Sequence, residues 1–177
     1  PGNAKRRHVV VEKRLEDLED FACSCPFNKI EKGGSLGIIT AGNCYNYAKE
    51  VFGSSASYLK LGMVYPLSKK LISEFAQSVD RIIVIEELDG FMEEQIKAAG
   101  IDCVGKAVVS PMYELDPERL REEIFGVKPR TCAVDAAAAP RAPALCPGCP
   151  HRGFFYCASR IKDAVITGDI GCYTLGA

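Results

Sequence analysis

Short apolar runs that alternate with amphipathic segments of about ten residues constrain the fold of this chain more than any other feature. Residues 36–40, 57–61 and 81–85 are the clearest runs, and the last contains the β-branched stretch Ile82-Ile83-Val84-Ile85. Such a continuous run is typical of a strand that is buried on both faces of a parallel sheet. Strands that alternate with helices predict βαβ units, so we expect an α/β fold with a mostly parallel sheet and flanking helices.

Helices are predicted from apolar periodicity and from signals at their ends. The expected helices cover residues 11–22, 43–52, 67–78, 89–99 and 117–125, with Asn43 and Asp116 as N-caps, and residues 101–109 offer a further strand. Glu86 and Glu87 follow the strongest strand, at a position where acids of α/β proteins often line a ligand crevice. Adjacent residues point to opposite faces, so helix capping or an interdomain contact is the favoured role for this pair.

Composition excludes several classes of protein. The 177 residues carry 22 basic and 23 acidic side chains, which is no basic excess of the kind that nucleic-acid binding requires. No apolar run approaches the roughly 20 residues of a membrane span. Nine cysteines without a secretory segment favour free thiols or metal ligands over disulfides, and this places the protein in the cytoplasm.

The chain is expected to be an internal piece of a larger protein, since it lacks an initiator Met and stops inside a strand-and-turn unit. We predict four segments. Residues 1–30 form an N-terminal helix and connector, residues 31–126 the α/β domain, and residues 127–145 a linker rich in Pro and Ala. Residues 146–177 begin a second α/β domain, with a helix over 153–162 and a strand over 164–167.

Two glycine-containing loops in the last segment carry most of the chemistry. The first is Cys146-Pro147-Gly148-Cys149-Pro150-His151-Arg152-Gly153, and the second is Gly168-Asp169-Ile170-Gly171-Cys172. Their glycines let backbone approach a ligand closely, and His151 and Arg152 lie where a helix start favours an anion. Loops that converge at strand ends predict a crevice for a phosphorylated cofactor. The candidate cofactor-binding residues are Cys146, Gly148, Cys149, His151, Arg152, Gly168, Asp169, Ile170, Gly171 and Cys172.

The cysteines of this segment are compatible with several kinds of site. Cys146 and Cys149 have the spacing of a thioredoxin-like redox pair, although a linker precedes them instead of a strand. With Cys157 and Cys172 they could supply four ligands to structural zinc. Cys146, Cys149 and Cys172 could instead hold a [4Fe–4S] cluster whose fourth thiolate lies outside the sequence. In the simplest alternative these thiols only line a pocket.

The two loops, extended to Cys172-Tyr173-Thr174-Leu175-Gly176, closely resemble the alpha subunits of the indolepyruvate:ferredoxin oxidoreductases. These belong to the thiamine diphosphate-dependent 2-oxoacid:ferredoxin oxidoreductases. Residues 37–42, 60–67 and 84–88 resemble the transketolase C-terminal-like domain of that family, and the likeness runs from about residue 11 to the end. The resemblance implies that residues 146–177 begin a thiamine diphosphate-binding domain.

The resemblance also implies a reaction. A 2-oxoacid such as indolepyruvate would undergo oxidative decarboxylation to an acyl-CoA, with thiamine diphosphate and Mg²⁺ as cofactors and iron–sulfur clusters as electron carriers. Partners would be the beta subunit, ferredoxin, coenzyme A and the 2-oxoacid. The magnesium-binding Gly-Asp pair and the activating glutamate of the family are expected outside this sequence, so we expect the piece to be inactive alone.

Pro150 departs from the Cys-x-Gly-Cys-Gly motif of related enzymes that carry a cluster beside thiamine, because it stands where they have glycine. A second hypothesis, from a different class, differs in its interpretation of the cysteine tail. In it, the chain is a metal-stabilised α/β interaction module with a cysteine-rich tail.

Overall fold

A four-stranded sheet forms the centre of the first part of the chain in the computed structural model. Its strands are β1 (Lys29–Glu31), β2 (Leu36–Ala41), β3 (Ala56–Leu61) and β4 (Arg81–Ile85), in the order β1-β3-β2-β4. β2 pairs in parallel with β3 and β4, whereas β1 pairs antiparallel with β3. The prediction of an α/β fold with a mostly parallel sheet is therefore confirmed.

The structure describes residues 2–129, 139, 142–168 and 170–176. The chain divides into two units, Pro1–Thr131 and Cys132–Ala177. Most of the predicted linker, and Asp169 with it, lies outside the described residues. In the part of the chain that the structure describes, no helix is long and apolar enough to cross a membrane.

The described residues of the first unit form five helices. They are α1 (Gly2–Ser24), α2 (Cys44–Phe52), α3 (Lys69–Ala76), α4 (Phe91–Ala98) and α5 (Pro117–Phe125). Asp116 caps α5 as predicted, because its carboxylate accepts a hydrogen bond from the Arg119 N–H at 2.9 Å. Asn43 was expected to cap α2 but makes no side-chain cap bond. The backbone of Asn43 is helical instead of extended, as a capping residue would be, and its side chain donates to the Tyr47 hydroxyl.

The sheet is buried on both faces, as the apolar runs predict. On one face, Ile38 and Ile85 pack with Phe52 of α2 and Leu120 of α5. On the other face a second cluster forms against α3 and α4, and its members include Ile39, Leu59, Val84, Ile72, Phe75, Met92 and Ile96. Ile38 and Ile39 lie on opposite faces, which is the period of two that a strand imposes.

The strand predicted over residues 101–109 is wrong. Only Val104 joins the sheet, through an isolated parallel bridge to Ile83. The chain then turns at Gly105, because a carboxylate oxygen of Glu93 accepts the Lys106 N–H at 2.7 Å. The N–H of Val109 bonds the Gly105 carbonyl at 2.9 Å, so the segment coils back instead of extending the sheet.

β1 escapes detection in the sequence because it is a short strand of Lys, Ile and Glu. Side-chain contacts attach it to α2: the Tyr45 hydroxyl donates to Glu31 at 2.5 Å and Lys49 pairs with Glu31 at 2.9 Å. Hydrogen bonds from Tyr45 and Lys49 lower the pKa of Glu31, and the same contact raises the pKa of Tyr45 to about 12.

The second unit contains α6 (Pro150–Ala158) and a 3₁₀ helix (Cys172–Gly176). The sequence predicts a helix over residues 153–162, whereas the observed helix begins earlier, at Pro150, and ends earlier, at Ala158. Pro150 takes the first helical position, where its missing N–H costs nothing. The strand predicted over 164–167 is also wrong. Val165 is 92% exposed, and no strand in the described residues of this unit pairs with it.

Candidate functional site

A tight turn links Cys146 to Cys149 at the start of α6. The Cys149 N–H donates to the Cys146 carbonyl at 3.1 Å, and Gly148 has a φ of 74°. Pro147 followed by a glycine with positive φ is the signature of a type II turn. The turn requires Gly148, because other residues rarely adopt this backbone conformation.

Cys149 and His151 face each other across the first residues of α6. The Cys149 Sγ lies 3.2 Å from the His151 Nδ1, a contact in which either atom can donate. This contact points the opposite ring nitrogen, Nε2, away from Cys149. His151 is partly buried while Cys146 is exposed, so the turn presents one cysteine to solvent and one to the histidine.

Arg152 holds the turn from the helix. Its Nε donates to the Cys146 carbonyl at 3.1 Å, and its Nη2 donates to the Leu145 carbonyl. The guanidinium is therefore directed at the loop backbone. A cofactor contact by Arg152 stays a prediction, while the structure gives it a role in positioning the turn.

Tyr173 brings the second predicted loop to the first. Its ring contacts His151 edge-on at 5.1 Å and Phe155 at 6.0 Å between centroids. Gly168 packs against it, since a Cβ at that position would lie 3.4 Å from the Tyr173 Cβ. The two glycine-containing loops thus meet at one place, with His151 on one side and Gly168 on the other.

The second loop itself is a turn that leads into the 3₁₀ helix. Gly171 has a φ of 126°, and its carbonyl accepts the Thr174 N–H at 3.1 Å. Cys172 and Ile170 are exposed beside it. Sequence reasoning missed Tyr173 and Phe155 as members of the site. The available signal was the aromatic side chain that directly follows the glycine-rich stretch.

The cysteines of the two loops were also candidate ligands for zinc or for an iron–sulfur cluster. Among residues 2–129, 139, 142–168 and 170–176, no group of three or more His, Cys, Asp or Glu side chains is arranged to hold a metal ion. Cys146, Cys149 and Cys172 are therefore not brought together as a preformed set of cluster ligands. The same holds for the zinc set that adds Cys157.

Glu86 and Glu87 in the first unit have structural partners, as favoured from the sequence. The carboxylate of Glu86 accepts the N–H groups of Met92 and Glu93 at 2.8 and 2.9 Å, which caps α4. Glu87 accepts the Leu115 N–H at 3.3 Å. Two backbone donors on one buried carboxylate fix the loop that follows β4.

Comparison with known proteins identifies the family. The family model described as the indolepyruvate oxidoreductase domain matches residues 30–139, which is more than half of the chain. This chain belongs to the indolepyruvate oxidoreductase family. The match covers the sheet and α2 to α5, so the parallel sheet described above is the core of an indolepyruvate oxidoreductase domain.

Curated relatives extend the similarity to both loops. The indolepyruvate oxidoreductase subunit IorA of Archaeoglobus fulgidus is 35% identical over 99% of this chain and 32% of its own length. The corresponding subunits of Methanothermobacter thermautotrophicus and Thermococcus kodakarensis are 33% and 32% identical, again over 99% of this chain. The chain spans about a third of the length of these relatives.

A solved structure supports the fold. A 2-oxoglutarate:ferredoxin oxidoreductase from Magnetococcus marinus, with 2-oxoglutarate, coenzyme A and succinyl-CoA bound, superposes with a TM-score of 0.50. It shares 20% identity and covers 70% of this chain and 24% of its own. At that identity the likeness shows the α/β fold alone.

Proposed function

We propose that this chain is part of the catalytic subunit of an indolepyruvate-type 2-oxoacid:ferredoxin oxidoreductase. The enzyme would decarboxylate indolepyruvate or another aryl pyruvate oxidatively, form an acyl-CoA and pass electrons to ferredoxin. The observation that carries this proposal is the 35% identity to a named indolepyruvate oxidoreductase subunit over 99% of the chain, both loops included. The beta subunit, ferredoxin, coenzyme A and the 2-oxoacid are the proposed partners, and the cytoplasm is the proposed location.

The donor groups at the two loops fit a phosphorylated cofactor. Pro150 has no N–H and the Arg152 N–H donates to the Cys149 carbonyl at 3.1 Å, so the start of α6 offers an anion the backbone N–H of His151, beside the His151 imidazole. We assign the backbone N–H and the imidazole of His151, together with the backbone of residues 170–172, to one side of a thiamine diphosphate pocket. The cofactor, when bound, supplies the electron sink for decarboxylation of a 2-oxoacid.

The remaining residues of the loops keep these donors in place. Arg152 holds the Cys146–Cys149 turn through two carbonyls, and Cys149 fixes the ring plane of His151. Tyr173 joins the loops through aromatic contacts. The chain therefore binds and orients a diphosphate in this proposal, while the magnesium ligands and the activating glutamate come from residues outside the sequence.

Iron–sulfur clusters are proposed for the full enzyme, but the described cysteines do not form a ligand set for one. We route no step through Cys146, Cys149 or Cys172. We propose that residues 31–126 are an architectural domain and that residues 146–177 begin the cofactor domain. The segments 1–30 and 127–145 are then the N-terminal helix with its connector and the linker.

Activity of the full-length two-subunit enzyme tests this proposal. The enzyme is purified anaerobically and supplied with thiamine diphosphate, Mg²⁺ and coenzyme A, and reduction of ferredoxin or a viologen dye is followed. We expect indolepyruvate to support reduction that depends on coenzyme A. Reduction that is absent with indolepyruvate and with other aryl pyruvates would overturn the proposal.

A further inference from the structure

Cys146 and Cys149 occupy the two ends of one hydrogen-bonded turn, and both are free thiols. The Cys149 N–H donates to the Cys146 carbonyl at 3.1 Å, and Gly148 inside the turn has a φ of 74°. The Cα atoms at the ends of a β-turn lie less than about 7 Å apart, and disulfides span Cα separations of about 4.4–6.8 Å. The turn therefore brings the two thiols into the range in which a disulfide can form.

Arg152 keeps the turn closed without occupying either sulfur. Its Nε donates to the Cys146 carbonyl at 3.1 Å, and its Nη2 donates to the Leu145 carbonyl. Both contacts are to the backbone, while the Cys146 side chain is exposed. A small oxidant can therefore reach Cys146 while the backbone keeps Cys149 nearby.

His151 makes the two thiols different from each other. The Cys149 Sγ lies 3.2 Å from the His151 Nδ1, whereas Cys146 is exposed to solvent. One nitrogen of a neutral imidazole accepts a proton, and the thiolate, not the thiol, is the attacking form of cysteine. Cys149 therefore has a base in contact with it, and Cys146 is the thiol that an oxidant meets first.

Buried cysteines of the first unit are poorly suited to the same chemistry. Burial raises the pKa of the Cys44 and Cys103 thiols, which keeps them protonated and unreactive. Cys25 is buried as well. The Cys146–Cys149 pair combines access to solvent, a neighbouring thiol and a contacting base.

We propose that Cys146 and Cys149 form a reversible thiol–disulfide switch that controls the orientation of His151, with a low-molecular-weight disulfide such as glutathione disulfide as the oxidant. The consequence for cofactor binding rests on the proposed function, whereas formation of the disulfide does not. In the proposed cytoplasmic location a disulfide is transient, which suits a response to oxidation and not a structural bond.

The exchange proceeds in two steps. The Cys146 thiolate attacks one sulfur of glutathione disulfide, whose S–S bond breaks and releases one glutathione thiolate. Cys149 passes its proton to the His151 Nδ1 and attacks the Cys146 sulfur of the mixed disulfide, which displaces the second glutathione thiolate. The two cysteines lose two electrons and two protons in total, and the two glutathione molecules gain them. Excess reduced glutathione reverses both steps.

Formation of the disulfide removes the Cys149–His151 contact. A Cys149 sulfur bonded to Cys146 at about 2.05 Å carries no hydrogen and is directed along the turn instead of toward Nδ1. His151 then loses the partner that fixes its ring plane. We expect affinity for thiamine diphosphate to fall about twofold to tenfold, as for loss of one hydrogen bond.

The disulfide can be detected directly in one tryptic peptide. Cleavage after Arg141 and Arg152 releases residues 142–152, whose two cysteines are Cys146 and Cys149. The full-length two-subunit enzyme is equilibrated anaerobically with glutathione and glutathione disulfide at several ratios, alkylated, digested and analysed by mass spectrometry. We expect this peptide to become unalkylated and two hydrogen atoms lighter as the oxidised share rises. The peptide of residues 153–160, which carries Cys157, is the internal control and should stay alkylated.

Titration of thiamine diphosphate into the reduced and the oxidised enzyme gives the second readout. Wild type and Cys157→Ser should both bind more weakly after oxidation, by the same factor. Cys146→Ser and Cys149→Ser cannot form this disulfide, so each should bind as its own reduced form does. Reduction with excess dithiothreitol should restore the affinity of wild type.

Three results would overturn the inference: a 142–152 peptide that stays reduced at every ratio, a disulfide that leaves affinity unchanged, or an oxidative loss of affinity in Cys146→Ser equal to that of wild type. The reduced wild-type enzyme separates this inference from the proposed function. If it binds thiamine diphosphate with an affinity that oxidation does not change, only the switch fails. If it binds no thiamine diphosphate, the proposed cofactor pocket fails and the switch fails with it.

Discussion

Cys149 and His151 lie within 3.2 Å of each other, Sγ to Nδ1, at the point where helix α6 begins. The contact fixes which edge of the imidazole faces the loop and which edge is available to a ligand. A histidine beside a helix start is a good donor to phosphate oxygens only when its ring is oriented. The Cys149–His151 contact therefore connects a short sequence motif to the proposed diphosphate site.

Removal of the Cys149 thiol should weaken cofactor binding. In Cys149→Ala the His151 ring loses its partner, and we expect affinity of the full-length enzyme for thiamine diphosphate to fall several-fold, as for loss of one hydrogen bond. Cys149→Ser retains a partner atom and should lose less. Cys157→Ala, at an exposed position of the same helix, is the control. Equal affinities for Cys149→Ala and Cys157→Ala would contradict the positioning role.

Tyr173 should hold the two loops together through its ring alone. Each aromatic contact contributes about 0.5–1.5 kcal/mol beyond area burial, so Tyr173→Ala should increase hydrogen exchange in α6 and in residues 170–176. Tyr173→Phe keeps the ring and should exchange at the wild-type rate. Exchange that is unchanged in Tyr173→Ala would show that the loops meet for another reason.

The core of the first unit should depend on Phe75. This side chain is fully buried between α3 and the sheet, and Phe75→Ala should lower the free energy of unfolding by about 3–5 kcal/mol. Phe27 is 70% exposed, so Phe27→Ala should change it by less than about 0.5 kcal/mol. Urea unfolding measures both. Similar losses in the two variants would contradict the assignment of the core.

The Glu31–Tyr45–Lys49 cluster should make stability depend on pH at both ends of the range. The pKa of Glu31 is lowered by the Tyr45 and Lys49 hydrogen bonds, so its stabilisation is present above the ordinary value of 4.5 and is lost as pH falls below it. The pKa of Tyr45 is raised to about 12, so its stabilisation is present below its ordinary value of 10.0 and is lost as pH rises toward 12.

Two variants separate these contributions. Glu31→Gln should flatten part of the acid limb of the stability curve, and Tyr45→Phe part of the alkaline limb. Unfolding is measured in urea across the pH range. An unchanged acid limb in Glu31→Gln would mean that the Glu31 contacts do not persist in solution.

The sequence predicts correctly those helices and strands whose bounds depend only on neighbouring residues. β4 was predicted with its observed bounds because Ile82 to Ile85 carry β-branched side chains toward both faces of the sheet. The sequence likewise predicts α5 with its observed bounds, from Asp116 and Pro117 at its start, and the structure adds the left-handed Gly126 at its end.

Elements that depend on distant residues were missed. β1 forms by pairing with the distant strand β3, and contacts of Glu31 with Tyr45 and Lys49 attach it to α2; no local pattern encodes these contacts. The segment after Val104 turns because Glu93, from another helix, accepts the Lys106 N–H. Residues 164–167 have strand propensity without a neighbouring strand, and propensity alone does not form a strand in water.

In the candidate site, too, local features are predicted from the sequence and contacts between distant residues are not. The sequence predicts a glycine-containing loop before a helix start, and in the structure this loop is a turn with Gly148 at a positive φ. The contact of Tyr173 with His151 joins two loops that are far apart in the sequence. Sequence reasoning placed the loops together by analogy with strand ends, although the structure joins them through aromatic packing.

Titration of thiamine diphosphate with Mg²⁺ into the full-length two-subunit enzyme tests the central claim most directly. The chain has two histidines, His8 and His151, so His8→Ala is a matched control on the exposed helix α1. We expect His151→Ala to weaken binding by at least about tenfold, equivalent to 1.4 kcal/mol, while His8→Ala binds like wild type. Equal affinities for the two variants and wild type would contradict the placement of the cofactor pocket at the Cys146 and Gly168 loops.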